Sequence, residues 1–189
     1  MNENVAQNVV YNGNHKCCGL TYQGIVLPNG ICLFHGPYPG THHDCAILGL
    51  SGVLVDLAAV RDDTGIFYKL YGDAAYGTHQ HIAHAFRDVG PDEPDVQAMR
   101  AHNLLMSRFR IVVEQVFAEL DNEYAGITFQ NAQRLGSVAV GKHFMLAGWF
   151  FNIRSLFYGN LPSAMDQNTM LMSISLEEYM NICRNDDLW

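Results

Sequence analysis

Basic charge is scarce in this chain. Eleven Lys and Arg stand against 19 Asp and Glu, a formal charge of −8. Phosphate contacts are made by Lys and Arg, so this balance argues against an autonomous nucleic-acid binder. It leaves room for a chain whose nucleic-acid affinity resides in another domain or a partner. Paired cysteines are also missing: the chain has five, Cys17, Cys18, Cys32, Cys45 and Cys183, an odd number with two adjacent and no C-x-x-C. A disulfide framework is therefore disfavoured, and a reducing, intracellular compartment is expected. Met1 to Val10 has no basic-then-apolar signal pattern. The most apolar stretch, Phe144 to Phe151, is interrupted by Asn152 and Arg154, short of the roughly 20 residues a membrane span takes. There is no internal repeat, low-complexity tract or linker.

What is present is globular in composition, 49% hydrophobic and 16% charged. A length of 189 residues predicts one domain over 1–189 with a real core. Leu20 to Leu27 is rich in β-branched and aromatic residues, and Pro28-Asn29-Gly30 supplies turn chemistry before Ile31 to His35. That pattern predicts a β-hairpin. Gly36-Pro37-Tyr38-Pro39-Gly40 is expected to break the chain. Asp44 to about Val60 suits one or two short helices broken near Ser51-Gly52, with Asp44 as a cap. Phe67 to Tyr71 is a predicted strand, His79 to Phe86 a predicted short helix, and Arg87 to Pro94 a loop or insertion.

The long helix is expected over Asp95 to Leu120, where Leu105, Phe109, Val112, Val116 and Leu120 recur at helical spacing. Ser107, Arg110 and Glu114 line up beside that stripe. Ala125 to Asn131 is irregular or a short strand. Leu135 to Phe157 predicts a second long apolar helix, with Trp149, Phe150, Phe151 and Phe157 in the core. Leu176 to Cys183 predicts a short helix capped by Ser175. Strands first and long helices last suit an α/β layer fold.

Two acids stand out. Asp73 ends the predicted strand in Tyr71-Gly72-Asp73-Ala74-Ala75-Tyr76, and Glu114 sits in an apolar stretch of the long helix. A carboxylate among apolar neighbours is costly unless a cation or hydrogen bonds compensate it. A strand-end Asp and a helix Glu are a common way to hold a divalent metal. The plainer readings stand beside this one. Asp73 after Gly72 suits a turn, and Glu114 suits an ordinary ion pair with Arg110 one turn earlier. His43-Asp44 reads as a helix cap with a polar neighbour or as part of the same site. His79, His81 and His84 lack paired Cys or H-E-x-x-H spacing, so a solvated helix face is preferred to a zinc site. Asp92, Glu93 and Asp95 read as a solvated loop.

Five ordered motifs carry a family resemblance. They are Tyr11-Asn12-Gly13-Asn14-His15-Lys16; Tyr22-Gln23; Gly36-Pro37 through Gly40 to His43-Asp44; Gly72-Asp73 with Tyr76; and Asn103, Met106, Ser107, Arg110, Val113, Glu114 and Phe117. Together with Val140-Gly141-Lys142 and Leu176-Glu177-Glu178-Tyr179, they make the chain resemble the DDE superfamily of endonucleases in its Harbinger/PIF-type transposase branch. The resemblance implies an RNase-H-like mixed sheet flanked by helices. It implies three acids binding two Mg²⁺ or Mn²⁺ ions, and metal-dependent cleavage and strand transfer of DNA. Asp73 matches the second acid and Glu114 the third. Arg110 follows as an orienting partner or phosphate contact, with His43 and Asp44 as supporting residues.

The family's first acid lies in an Asp-Gly-Thr segment upstream of Tyr-Asn-Gly, and nothing between Met1 and Val10 matches it. The reading is thus of a domain truncated at its N-terminus, lacking its first strand and the family's DNA-binding helices, with impaired chemistry. Ala75 stands where Gly is usual and Asp121 where Lys is frequent. The family implies a nuclear protein acting on DNA, often with a separate DNA-binding partner, and no membrane association. The alternative from another class is a non-catalytic, transposase-derived remnant that acts as a protein-interaction module.

Overall fold

The structure is a computed structural model. It describes residues 9–13, 16–27, 30–76, 79–87, 89–91, 94–127 and 139–158, with Glu177 and Met180. The expected turn at Pro28-Asn29, the Asp92-Glu93 loop, the 128–138 segment and the body of the expected 176–183 helix with its Ser175 cap lie outside these residues.

The observed class is mixed α/β. In order come β1 (Tyr11–Asn12), β2 (Cys17–Cys18), β3 (Leu20–Val26), β4 (Cys32–Pro39), α1 (Asp44–Leu50), α2 (Val53–Ala59), β5 (Leu70–Tyr71), β6 (Ile82–Ala83), α3 (Val96–Glu123) and α4 (Val140–Tyr158). Among the described residues the strands form three two-stranded sheets, β1-β2, β3-β4 and β5-β6. The chain divides into two compact units. One comprises Met1–Gln23 and His35–Arg110, the other Gly24–Phe34 and Ile111–Trp189.

In the first unit, β1 and β2 pair antiparallel with Tyr11 opposite Cys18 and Asn12 opposite Cys17. Gly40 is needed beside them: a Cβ there would lie 2.6 Å from the Val10 carbonyl oxygen and 2.8 Å from that of Gly19. The next residue, Thr41, donates its hydroxyl to the Val9 carbonyl at 3.0 Å. The helix pair breaks at Ser51-Gly52 as the sequence predicts, with Gly52 at φ 77°, a conformation that favours glycine. His43, not Asp44, is the N-cap of α1. Its carbonyl accepts from Ala46 and Ile47 at 2.9 and 3.1 Å, which places Asp44 at the first helical position. The helices turn Ile47, Leu48 and Val53 inward.

Three expectations need correction in this unit. Gly36 to Pro39 does not break the chain but continues β4; Gly36 adopts φ 143°, open to a residue without a Cβ. The strand predicted from Phe67 is confined to Leu70–Tyr71, with Phe67 in an isolated bridge to Arg61. His79 to Phe86 is not a helix. Ile82 and Ala83 pair parallel with Leu70 and Tyr71, and tertiary pairing overrides local propensity when it buries Ile82 and His81.

The second unit closes around α3, α4 and the hairpin end. Cys32, Val116, Leu120, Ala147 and Phe151 form its core, with Val26, Phe34, Tyr124, Ile127 and Phe144 packed against it. Phe34 meets Phe117 and Phe144 edge-on at centroid distances of 5.8 and 5.3 Å, a favoured aromatic geometry. Gly148 lets this happen, since a Cβ there would sit 2.6 Å from the Phe34 ring. Asn152 uses its amide to accept from the Cys32 N–H at 2.9 Å and to donate to the Cys32 carbonyl at 2.8 Å. A buried strand residue is thereby satisfied by a side chain. Arg154 pairs with Glu123.

The predicted helical stripes are only half right. Val112, Val116 and Leu120 are buried, whereas Leu105 and Phe109 are 48% and 49% exposed. On α4, Phe151 is core, but Phe150 is exposed and Phe157 is 69% exposed. An apolar helix is too uniform for its pattern to say which face turns inward.

Candidate functional site

The strand β5 delivers Asp73. Leu70 and Gly72 donate their N–H groups to the His81 and Ala83 carbonyls, both at 2.9 Å. The chain leaves this parallel pair at Gly72, where a Cβ would meet the Tyr76 ring at 2.9 Å. A single turn of 3₁₀ helix follows over Ala74–Tyr76, closed by the Tyr76 N–H to the Asp73 carbonyl at 3.0 Å. Asp73 therefore sits at the start of a turn with its side chain outside the strand.

Arg110 reaches it from α3. Its Nη1 lies 3.8 Å from Asp73 Oδ2, and both side chains are 58% exposed. A pair this open to water contributes little to stability, so its interest lies in placement. Tyr76 is half-buried beneath the same turn. Burial raises its pKa, the Gln23 side-chain hydrogen bond opposes the shift, and the nearby Asp44 and Asp73 charges raise it further. Tyr71 is also raised by burial and by Asp73, with Arg110 acting the other way. Both phenols are thus held neutral and available as donors. The Cys45 thiol on α1 donates to the Ala75 carbonyl, fastening the first turn of that helix to the Asp73 turn.

The first unit accordingly brings together Asp73, Arg110, Tyr76, Gln23 and Asp44. His43 adjoins them as the exposed cap of α1. Glu114 stands four residues beyond Arg110 on α3, one turn along, and belongs to the second unit. Its side chain is exposed, which corrects the premise of a glutamate stranded among apolar groups. Ser107, in the same helix, is exposed and donates its hydroxyl to the Leu104 carbonyl at 2.8 Å.

Aspartate and glutamate oxygens are the right donors for hard cations such as Mg²⁺ and Mn²⁺. Among the described residues, no group of three His, Cys, Asp or Glu side chains comes close enough to hold an ion. The donor kind fits a divalent cation. The histidines are not arranged as a zinc site. His81 is 1% exposed rather than solvated, its ring lies edge-on to Phe67 at 5.1 Å, and its backbone N–H donates to His79 Nδ1 at 3.2 Å.

Sequence reasoning missed Tyr76 and Gln23 as contributors to this site, and it missed Cys45. Gln23 and Tyr76 lay inside motifs that pointed at the region. Nothing in the spacing said that a strand glutamine and a turn tyrosine would bond.

A family model described as DDE superfamily endonuclease matches residues 2–143. No curated protein and no solved structure matches the chain.

Proposed function

The chain belongs to the DDE superfamily of endonucleases, and from that premise we propose that it is a Harbinger/PIF-type member whose Asp73 and Glu114 are the inherited metal-site acids. The nuclease and transposase-like character comes with the family. The observation that carries the finer reading is the Asp73–Arg110 pair: the acid in the Gly-Asp-x-x-Tyr motif is met by the arginine of the long-helix motif that also holds Glu114. In this reading the family's RNase-H-like fold is retained, and Asp73 and Glu114 are the carboxylates that would take a hard divalent cation.

Asp73 and Glu114 would hold a divalent cation, which supplies activation of the attacking oxygen and charge stabilisation at the phosphate. The remaining work falls to the chain's own groups. Arg110 holds the Asp73 carboxylate in place, or turns to a phosphate oxygen when DNA is bound. Tyr76, neutral and anchored by Gln23, offers a hydroxyl beside Asp44 and Asp73. Asp44 and His43 support the same turn from α1. DNA is the substrate, a separate DNA-binding protein supplies the affinity that a charge of −8 withholds, and the compartment is the nucleus. No described helix is long and apolar enough to cross a membrane.

A second reading has its own support. Exposed Leu104, Leu105 and Phe109 on α3, together with the acidic balance, favour a transposase-derived module that binds protein rather than cutting DNA. Supercoiled plasmid separates the two. Mn²⁺-dependent nicking that Asp73→Ala and Glu114→Ala each abolish is the result expected of the nuclease reading. Absence of nicking, or nicking that both variants retain, would overturn that reading and favour the interaction module.

A further inference from the structure

The parallel pair β5-β6 sends two chains out of the same end. One reaches Asp73 two residues after Tyr71, and the other reaches Phe86 three residues after Ala83. The helix α3 meets both. Arg110 lies against Asp73. Asn103 accepts from the Phe86 N–H through Oδ1 at 2.8 Å and donates through Nδ2 to the Phe86 carbonyl at 2.9 Å. His102 packs its ring edge-on against Phe86 at 5.1 Å. The two fastening points are seven residues apart on one helix. Seven residues rise about 10.5 Å and fall only about 20° short of two full turns, so Asn103 and Arg110 share a face.

We infer that Asn103 is a positioning residue. Its two-bond clamp on Phe86 sets the axial and rotational register of α3 against the β5-β6 pair, and so decides where Arg110 meets Asp73. The physical argument is one of constraint. The Arg110–Asp73 contact is long and exposed, too weak to fix a 28-residue helix. A side-chain amide that satisfies both polar groups of one backbone residue permits a single orientation, because sliding the helix by one residue turns Asn103 by about 100° and breaks both bonds together. The clamp thus does for the arginine what the arginine cannot do for itself. This inference rests on the reading of Asp73 as a site acid only for its consequence. The clamp itself is tested without metal.

The test uses the full 189-residue chain labelled with ¹⁵N-arginine. In the parent, Asp73→Asn is expected to move the Arg110 Nε–H resonance. In the Asn103→Ala and Asn103→Asp backgrounds that movement should fall to less than half. Asn103→Asp is nearly isosteric and keeps the acceptor while losing the donor, so it folds if Ala does not. A merely structural asparagine would lower stability and leave the Asp73-dependent shift intact. An undiminished shift in both variants overturns the inference, and so does a parent in which Asp73→Asn moves nothing. A parallel Mn²⁺ titration followed by electron paramagnetic resonance keeps the two ideas apart. Loss of the arginine response together with at least threefold weaker Mn²⁺ binding supports both. Loss of that response in a protein whose Mn²⁺ binding ignores Asp73 supports the clamp and sinks the metal-site reading.

Discussion

Two asparagines in this chain make the same pair of bonds. Asn152 embraces the backbone of Cys32 at 2.9 and 2.8 Å inside the second unit, and Asn103 embraces that of Phe86 at 2.8 and 2.9 Å in the first. Their surroundings differ. Asn152 is buried beside Ala147, Gly148 and Phe151, and burial lifts the thiol pKa of the Cys32 it holds well above the ordinary value, against a smaller opposing backbone bond from Ile25. Asn103 is half-exposed, beside a helix face that leaves Leu104 and Leu105 in water. The same chemistry therefore serves stability in one place and placement in the other, because a lost hydrogen bond costs most where water cannot replace it.

The comparison sharpens into measurable differences. The largest belongs to the second unit's core. Phe151→Ala removes a ring that is 2% exposed and should cost about 3–5 kcal/mol in urea unfolding. Asn152→Ala comes next. It leaves the Cys32 N–H and carbonyl buried without that partner, and should cost about 2–4 kcal/mol at roughly 1–2 kcal/mol per orphaned group, the lower part of the usual range. A cost for Asn152→Ala no greater than that for Asn103→Ala would break the contrast between the two clamps.

A pH effect should follow in the first unit. Burial lowers the pKa of His35, and attraction to Asp56 only partly offsets this. A histidine whose folded pKa lies below the unfolded value of about 6.5 binds fewer protons folded than unfolded across that interval. Its contribution is therefore full above about 6.5 and is lost as pH falls toward the folded pKa. Unfolding midpoints should drop on acidification through that window, and His35→Asn should flatten the drop. The smallest effect is at Arg110. Arg110→Gln should change stability by less than about 1 kcal/mol, read by the same urea titration, since both partners in the pair are largely solvated.

Much of the architecture was legible in the chain. The hairpin, the helix break at Gly52 and the two long helices follow from alternation, a turn glycine and helical spacing. The segment around His81 was not legible, because a two-residue parallel pairing with Leu70 leaves no periodic trace. The exposure of Phe109 and Phe157 was not legible either. Periodicity finds an apolar face but does not say how far along the helix something covers it. Asp73, Arg110 and Glu114 could be named from motifs, whereas the contacts around Asp73 could not. Gln23 with Tyr76, and Cys45 with the Ala75 carbonyl, depend on tertiary approach alone.

The central claim is that Asp73 and Glu114 together hold a divalent cation. Isothermal calorimetry of Mn²⁺ with the parent chain, Asp73→Ala and Glu114→Ala tests it most directly. Binding in the parent that disappears in each variant is the predicted result, as expected for a hard cation held by both carboxylates. Binding that persists unchanged in both variants would contradict the account and place the metal elsewhere in the molecule.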